Sequence, residues 1–339
     1  MKKTFFIDHG NRLIKSMNFA FPASYVESSH LLTIGGDILT YGGKEYALYD
    51  HLLPQLNDKT EDERYFILTL FTIGKEIARE EELHRIRLLP NEAIEATLVI
   101  GLPPQHCKSL GPSYVDYFMA NGRFSFELNE KQYIVHIVDV FYYPQAYAAA
   151  LTIRDQLKDA RTLNIIDIGG FTCDCLTLTH FTPSPTGTKT LYWGVNELFR
   201  EINERIRAMG KYDIPVDEIE SILRNDPKAL EEASPKRVEL IRDQAISFAE
   251  RMLLEVKSAG YDIEEYKTVF VGGGSILLKE QILRANKVEF PFFASDIFAN
   301  VRGYKMMYEQ ELKSKLVPGV AGETPGPDQP GAPASNPIL

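Results

Sequence analysis

The triplet Asp-x-Gly occurs twice in this chain, as Asp8-His9-Gly10 and Asp167-Ile168-Gly169, and nowhere else. Each copy ends an apolar run, Phe5-Phe6-Ile7 or Ile165-Ile166, and precedes a second strand-forming stretch. Asp accepts hydrogen bonds from its own turn and Gly supplies positive φ, so each triplet reads as a hairpin loop. Two matching hairpins, one in each half of 339 residues, constrain the chain to two related units whose loops can face each other across a cleft. Turn chemistry alone accounts for either loop taken singly. The pair in matching contexts is what points to function.

Around these hairpins strands and helices alternate, which predicts a mixed α/β fold. Strands are expected at 4–8 and 12–18, at 38–41 and 45–48 around Gly42-Gly43, at 96–100, 123–128 and 132–140, then at 164–167, 172–178 and 268–271. Apolar residues at helical spacing predict helices over 63–78 and 196–209, and an Ala-rich helix over 145–157. A further helix opens at Ser234-Pro235, carries the stripe Val238, Ile241, Ala245, Phe248, Met252 and Val256, and stops at Gly260. A last helix is expected over 300–316. Beyond it, residues 317–339 hold six prolines and four glycines without apolar periodicity, so they are expected to form a flexible tail.

Composition narrows the function. A hydrophobic share of 44% is that of a globular protein. A net charge of −10, with no Lys/Arg run longer than two, argues against direct nucleic-acid binding and against a polybasic membrane contact. Asp8 and His9 end the N-terminal apolar run short of a signal peptide's ~7–15 apolar residues. No stretch is long enough to span a bilayer. Three cysteines, Cys107, Cys173 and Cys175, form neither a disulfide framework nor a zinc motif, and Cys173 and Cys175 are expected to pack as small apolar residues. The expected location is the cytoplasm.

Two facing Asp-x-Gly loops suit a metal–nucleotide. Glycines let backbone N–H groups approach phosphate oxygens, carboxylates hold Mg²⁺ through its waters, and Lys15 can reach a phosphate as a point charge. A third candidate is Gly272-Gly273-Gly274-Ser275, delivered by the apolar run Val269-Phe270-Val271. It matches neither the P-loop nor the dinucleotide fingerprint. Close helix–strand packing and a flat seat for a purine or ribose are both consistent with it.

These three elements, in this order, resemble the actin-like ATPases, the superfamily of actin, the heat-shock chaperone ATPases and sugar kinases. Ile7-Asp8-His9-Gly10-Asn11-Arg12-Leu13-Ile14-Lys15 is similar to the first phosphate loop. Ile165-Ile166-Asp167-Ile168-Gly169-Gly170-Phe171-Thr172-Cys173-Asp174 is similar to the second, and Val271-Gly272-Gly273-Gly274-Ser275 to the adenosine motif. Gly101-Leu102-Pro103, residues 138–145 and Ala299-Asn300-Val301-Arg302-Gly303-Tyr304 look most like the ParM/StbA plasmid-segregating bacterial actins.

The resemblance implies an actin-like, ribonuclease-H-like ATPase fold with two lobes around a nucleotide cleft. Lobe I would be 1–160, completed by helix 300–316, and lobe II 161–299. It implies ATP or GTP with Mg²⁺, with Asp8 and Asp167 as metal-side carboxylates and Gln145 orienting the attacking water. Gly10, Asn11, Gly169, Gly170, Phe171 and Thr172 would cradle phosphate with Lys15, Gly194 would approach the nucleotide, and Asp174 would support the second loop. His9, Arg12 and Leu13 depart from the family's first loop, and Arg12 has two readings, phosphate contact or solvent. The implied function is a self-assembling, NTP-hydrolysing filament that segregates plasmid DNA through a DNA-binding adaptor. The alternatives are a small-molecule kinase on the same fold or another cytoskeletal scaffold of the actin class.

Overall fold

The computed structural model describes residues 1–28, 36–50 and 58–316, less the side chains of 28, 185–186 and 316; the expected tail at 317–339 lies outside the described residues. The first part of the chain runs β1 (Lys2–His9), β2 (Leu13–Lys15), β3 (Ala20–Pro22), β4 (Tyr25–Ser28), β5 (Ile38–Tyr41), β6 (Lys44–Leu48), α1 (Arg64–Glu82), β7 (Ala93–Leu102), α2 (His106–Met119), β8 (Arg123–Leu128), β9 (Lys131–Pro144), α3 (Tyr147–Leu151) and α4 (Arg154–Leu157). The rest runs β10 (Thr162–Ile168), β11 (Cys173–Thr179), β12 (Thr182–Leu191), α5 (Val195–Ala208), α6 (Val216–Leu223), α7 (Pro227–Glu232), α8 (Pro235–Ser258), β13 (Lys267–Val271), α9 (Gly273–Leu277), α10 (Lys279–Ala285), β14 (Pro291–Phe293) and α11 (Ala299–Leu316).

The strands form two sheets with one shared plan. The second sheet has the order β12-β11-β10-β13-β14. Its first three strands are antiparallel neighbours, and β13 and β14 are added in parallel. The first sheet contains β3-β2-β1-β7-β9 with the same sequence of antiparallel and parallel neighbours, then continues through β8, β5, β6 and β4. The Asp-x-Gly repeat is therefore the visible trace of a five-strand unit built twice.

Central strands with both faces covered should be mostly apolar, and β10 is, with Asn164 and Asp167 as its buried polar exceptions. Ile166 and Ile168 enter a core with Cys173, Cys175 and the inward faces of α5 and α8. Leu163 and Ile165, on the opposite face, join Ala149, Val269 and Val271. In the first sheet, Phe5 and Ile7 of β1 pack with α1 and α2 side chains such as Leu70 and Phe118. On its other face Val99 meets Tyr304 and Met307 of α11.

One expectation about helices is revised. The single helix over 145–157 is instead a two-residue turn after β9 followed by two short helices, α3 and α4. Gln145 donates its backbone N–H to Leu102 O at 2.8 Å, and Ala146 has φ +60°, so the helix cannot begin until Tyr147. Strand β12 and helices α2, α6 and α7 stand outside the expected elements, although Val216, Ile219, Ile222 and Leu223 of α6 recur at helical spacing. Helix α8 fits well: the Ser234 hydroxyl accepts from the Arg237 N–H and Gly260 has φ +99° just past its end.

Candidate functional site

Both Asp-x-Gly loops open onto one cavity of about 270 Å³ between the two sheets. Gly10 is required at the first loop, because a Cβ there would lie 2.5 Å from Leu13 O. Register then sets the chemistry. Asp8 lies directly opposite Lys15 across β1–β2, and Asp167 lies directly opposite Asp174 across β10–β11. The two hairpins are equivalent, but one opposes its aspartate with a cation and the other with a second acid.

The charges respond to that difference. Lys15 Nζ sits 2.9 Å from Asp8 Oδ2, Gln145 Nε2 donates to Asp8 Oδ1 at 2.8 Å, and the Tyr304 hydroxyl donates to the same oxygen at 3.3 Å. Burial acts to raise the Asp8 carboxyl, yet Lys15, Lys59 and Gln145 outweigh it and hold the group below the usual carboxylate range. Asn300 Nδ2 donates to Asp167 Oδ2 at 3.0 Å, but burial outweighs this and the Lys15 charge and raises the Asp167 carboxyl. Asp174 is pushed up to about 7, chiefly by burial, although Thr190 donates to it at 2.5 Å. The second hairpin thus holds the more reluctant anions.

Fourteen of the residues given a site role from the sequence line the cavity: Asp8, Gly10, Asn11, Arg12, Lys15, Gln145, Asp167, Gly169, Gly170, Thr172, Asp174, Gly272, Gly273 and Gly274. Gly272 has φ +86°, and a Cβ on it would fall 2.2 Å from Asp167 Oδ1, so this turn can pass the carboxylate only as glycine. Three others stand off the cavity. Ser275 is buried and donates its hydroxyl to Gly272 O at 2.8 Å, bracing the turn. Phe171 and Gly194 are joined by the Gly194 N–H donating to Phe171 O. There α5 docks on the second loop, as the N–H groups of Val195 and Asn196 bond to Gly169 O and Gly170 O. The Arg12 side chain is not turned to solvent: it pairs with Asp50 and Glu220 at the cavity wall.

Sequence reasoning missed three contributors. Lys59 also lines the cavity, buried, donating to His9 O and lowered to about 8 by burial. It sits in a turn with no periodic pattern around it. Asn300 comes from the far end of the chain on α11, and Glu220 from the unexpected α6. His9, by contrast, is core: it stacks on Phe118, bonds to the Thr69 hydroxyl at 2.9 Å, and burial lowers its ring to about 3. Cys173 and Cys175 are buried and free, as expected. Among the described residues no cluster of three or more His, Cys, Asp or Glu could hold a metal ion, and no helix is long and apolar enough to cross a membrane.

No protein-family model and no curated protein sequence matches the chain. Solved structures do. The chain is similar to Ta0583, an archaeal actin homolog in complex with ADP, with a TM-score of 0.68 at 16% identity, over 91% of this chain and 99% of that one. It is similar to the psk41 ParM protein in its apo form, with a TM-score of 0.63 at 14% identity, over 93% and 99% of the two chains. The ParM of a 15-stranded filament from Clostridium botulinum gives a TM-score of 0.68 at 16% identity, over 91% and 100%. The fold is that of the actin-like ATPases.

Proposed function

We propose that the chain is a ParM-type, filament-forming NTPase. In this reading ATP or GTP binds with Mg²⁺ between two lobes, subunits assemble head to tail, and hydrolysis destabilises the polymer. The observation that carries it is the convergence of both Asp-x-Gly loops and the Gly272 turn on one cavity. Proteins of the same fold add support, one described as an ADP complex and others as filaments.

The residues suit such a ligand. The N–H groups of Gly10 and Gly169 are spent inside their own turns, on Asp8 O and Thr172 O. Asn11, Arg12 and Gly170, which line the cavity, carry no backbone hydrogen bond on N–H among the described residues, which leaves those three groups to bind phosphate oxygens. Mg²⁺ keeps several waters and takes one or two carboxylates with phosphate oxygens, a demand that Asp8 and Asp167 meet from opposite loops. When bound it supplies charge neutralisation on the transferring phosphoryl group. With its Nε2 given to Asp8, Gln145 has its amide oxygen left to accept a hydrogen bond from water and orient it.

Head-to-tail contacts that do not close generate an open filament. With a net charge of −10, plasmid DNA would be reached through a DNA-binding adaptor rather than directly. Sedimentation with Mg-ATP, Mg-GTP or no nucleotide tests the assignment, alongside binding of a fluorescent ATP analogue. Pelleting that depends on nucleotide is expected. Tight nucleotide binding without pelleting would move the assignment to a soluble enzyme of this fold.

A further inference from the structure

We infer that Arg12 and Glu220 form an ion-pair latch across the mouth of the cavity, which slows the departure of bound nucleotide. The inference rests on the nucleotide reading above.

Arg12 lies in the β1–β2 loop and its guanidinium spans the gap to α6. Its Nη2 lies 3.6 Å from Glu220 Oε1, and its side chain also pairs with Asp50. Arg12 and Glu220 are 14% and 21% exposed, so water screens the pair only partly. All four groups of the cluster, Arg12, Asp50, Glu220 and Arg224, line the cavity. Arg12 and Asp50 belong to the part of the chain that builds the first sheet. Glu220 and Arg224 are on or beside α6, whose Ile219, Ile222 and Leu223 are in the core of the second. The 3.6 Å contact is therefore an ion pair that joins the two sides.

Its partners make it a reversible link. When the sides separate, Arg12 keeps Asp50, to which its Nη2 donates at 3.3 Å. Glu220 keeps Arg224, whose Nη2 lies 3.5 Å from Oε2. Opening breaks one part-exposed pair and strands no charge, which is what a contact that must open repeatedly requires. The same arrangement holds the loop tip: a Cβ on Gly170 would stand 2.9 Å from Arg12 Cβ, so Arg12 also packs on the second loop.

The test is a double-mutant cycle on nucleotide release. Arg12→Gln, Glu220→Gln and the double variant are loaded with a fluorescent ADP analogue, and dissociation is followed after a chase with unlabelled nucleotide. Glu220→Gln removes charge and keeps shape, and release should speed by about threefold, within the range of a part-exposed pair. Once Arg12 is already Gln, the Glu220 substitution should have almost no further effect. Wild-type release should also accelerate with added NaCl, and release from Glu220→Gln should respond less. Additive effects in the cycle, or wild-type release independent of salt, overturn the latch. Failure of the wild type to bind the analogue at all overturns the nucleotide reading as well, and is seen before any variant is compared.

Discussion

Asn300 binds Asp167 through its amide nitrogen, 3.0 Å from Oδ2, while its amide oxygen accepts the backbone N–H of Ala146 at 3.0 Å. One side chain on the last helix thereby ties the second loop to the residue that follows Gln145. Removing it should disturb both. In Asn300→Ala the Asp167 carboxylate loses its closest donor and its pKa rises further above the ordinary value, since a hydrogen bond to the charged form is lost. The acid limb of the NTPase pH profile should then move to higher pH. Turnover near neutral pH should fall by about tenfold or more, as a hydrogen bond to a charged group contributes ~1.5–3 kcal/mol. An unshifted pH profile would separate Asn300 from Asp167 function.

Gln145→Ala should leave assembly largely intact and slow the chemistry. The side chain reaches the cavity through Asp8 rather than through any part of the fold's core. Phosphate release should drop by about a hundredfold, the lower end of what a positioned proton-transfer or water-orienting group contributes. Filaments should persist correspondingly longer after nucleotide is exhausted. Phosphate release at the wild-type rate would remove Gln145 from the mechanism.

The parts of the site written in local sequence were the readable ones. Both hairpins, the Gly272 turn and the capped helix α8 depend on residues within a few positions of one another. The pairing of Asp8 with Lys15 was within reach, because hairpin register follows from loop length. The Asp167–Asp174 opposition follows from the same rule at the same spacing. Lys59, Glu220 and Asn300 depend on tertiary placement: helical spacing marks α6 but does not say which of its polar residues faces the cavity. The Ala-rich segment after Gln145 misled for a related reason: its residues favour helix, but the hydrogen bonds of Gln145 to Leu102 O and of Ala146 to Asn300 hold the first two out of it.

Asp174 should make stability depend on pH. Its pKa is raised from 3.8 to about 7 in the folded chain, so the folded form binds more protons between those values. Its contribution is then fully present below about pH 4 and is lost as pH rises through 7. Thermal melts of Asp174→Asn should gain on the wild type steadily from pH 5 to pH 8. Melting curves that stay parallel across that range would contradict a buried, proton-retaining Asp174.

Gly272→Ala tests the third motif. The residue sits at φ +86° and its Cβ would meet Asp167 Oδ1 at 2.2 Å, so the turn must shift or the carboxylate must move. A loss of ~1–3 kcal/mol in stability is expected from the backbone alone. Nucleotide affinity should fall with it, measurable by calorimetry on the folded variant. Wild-type affinity would show that this turn is packing between β13 and α9 and nothing more.

The central claim is that one cavity, built by two copies of a hairpin, drives nucleotide-dependent polymerisation. Electron microscopy of the purified full chain at several micromolar, with Mg-ATP, with Mg-GTP and without nucleotide, tests it most directly. Filaments should form with triphosphate and be absent without it. Single particles of uniform size under all three conditions would contradict the account.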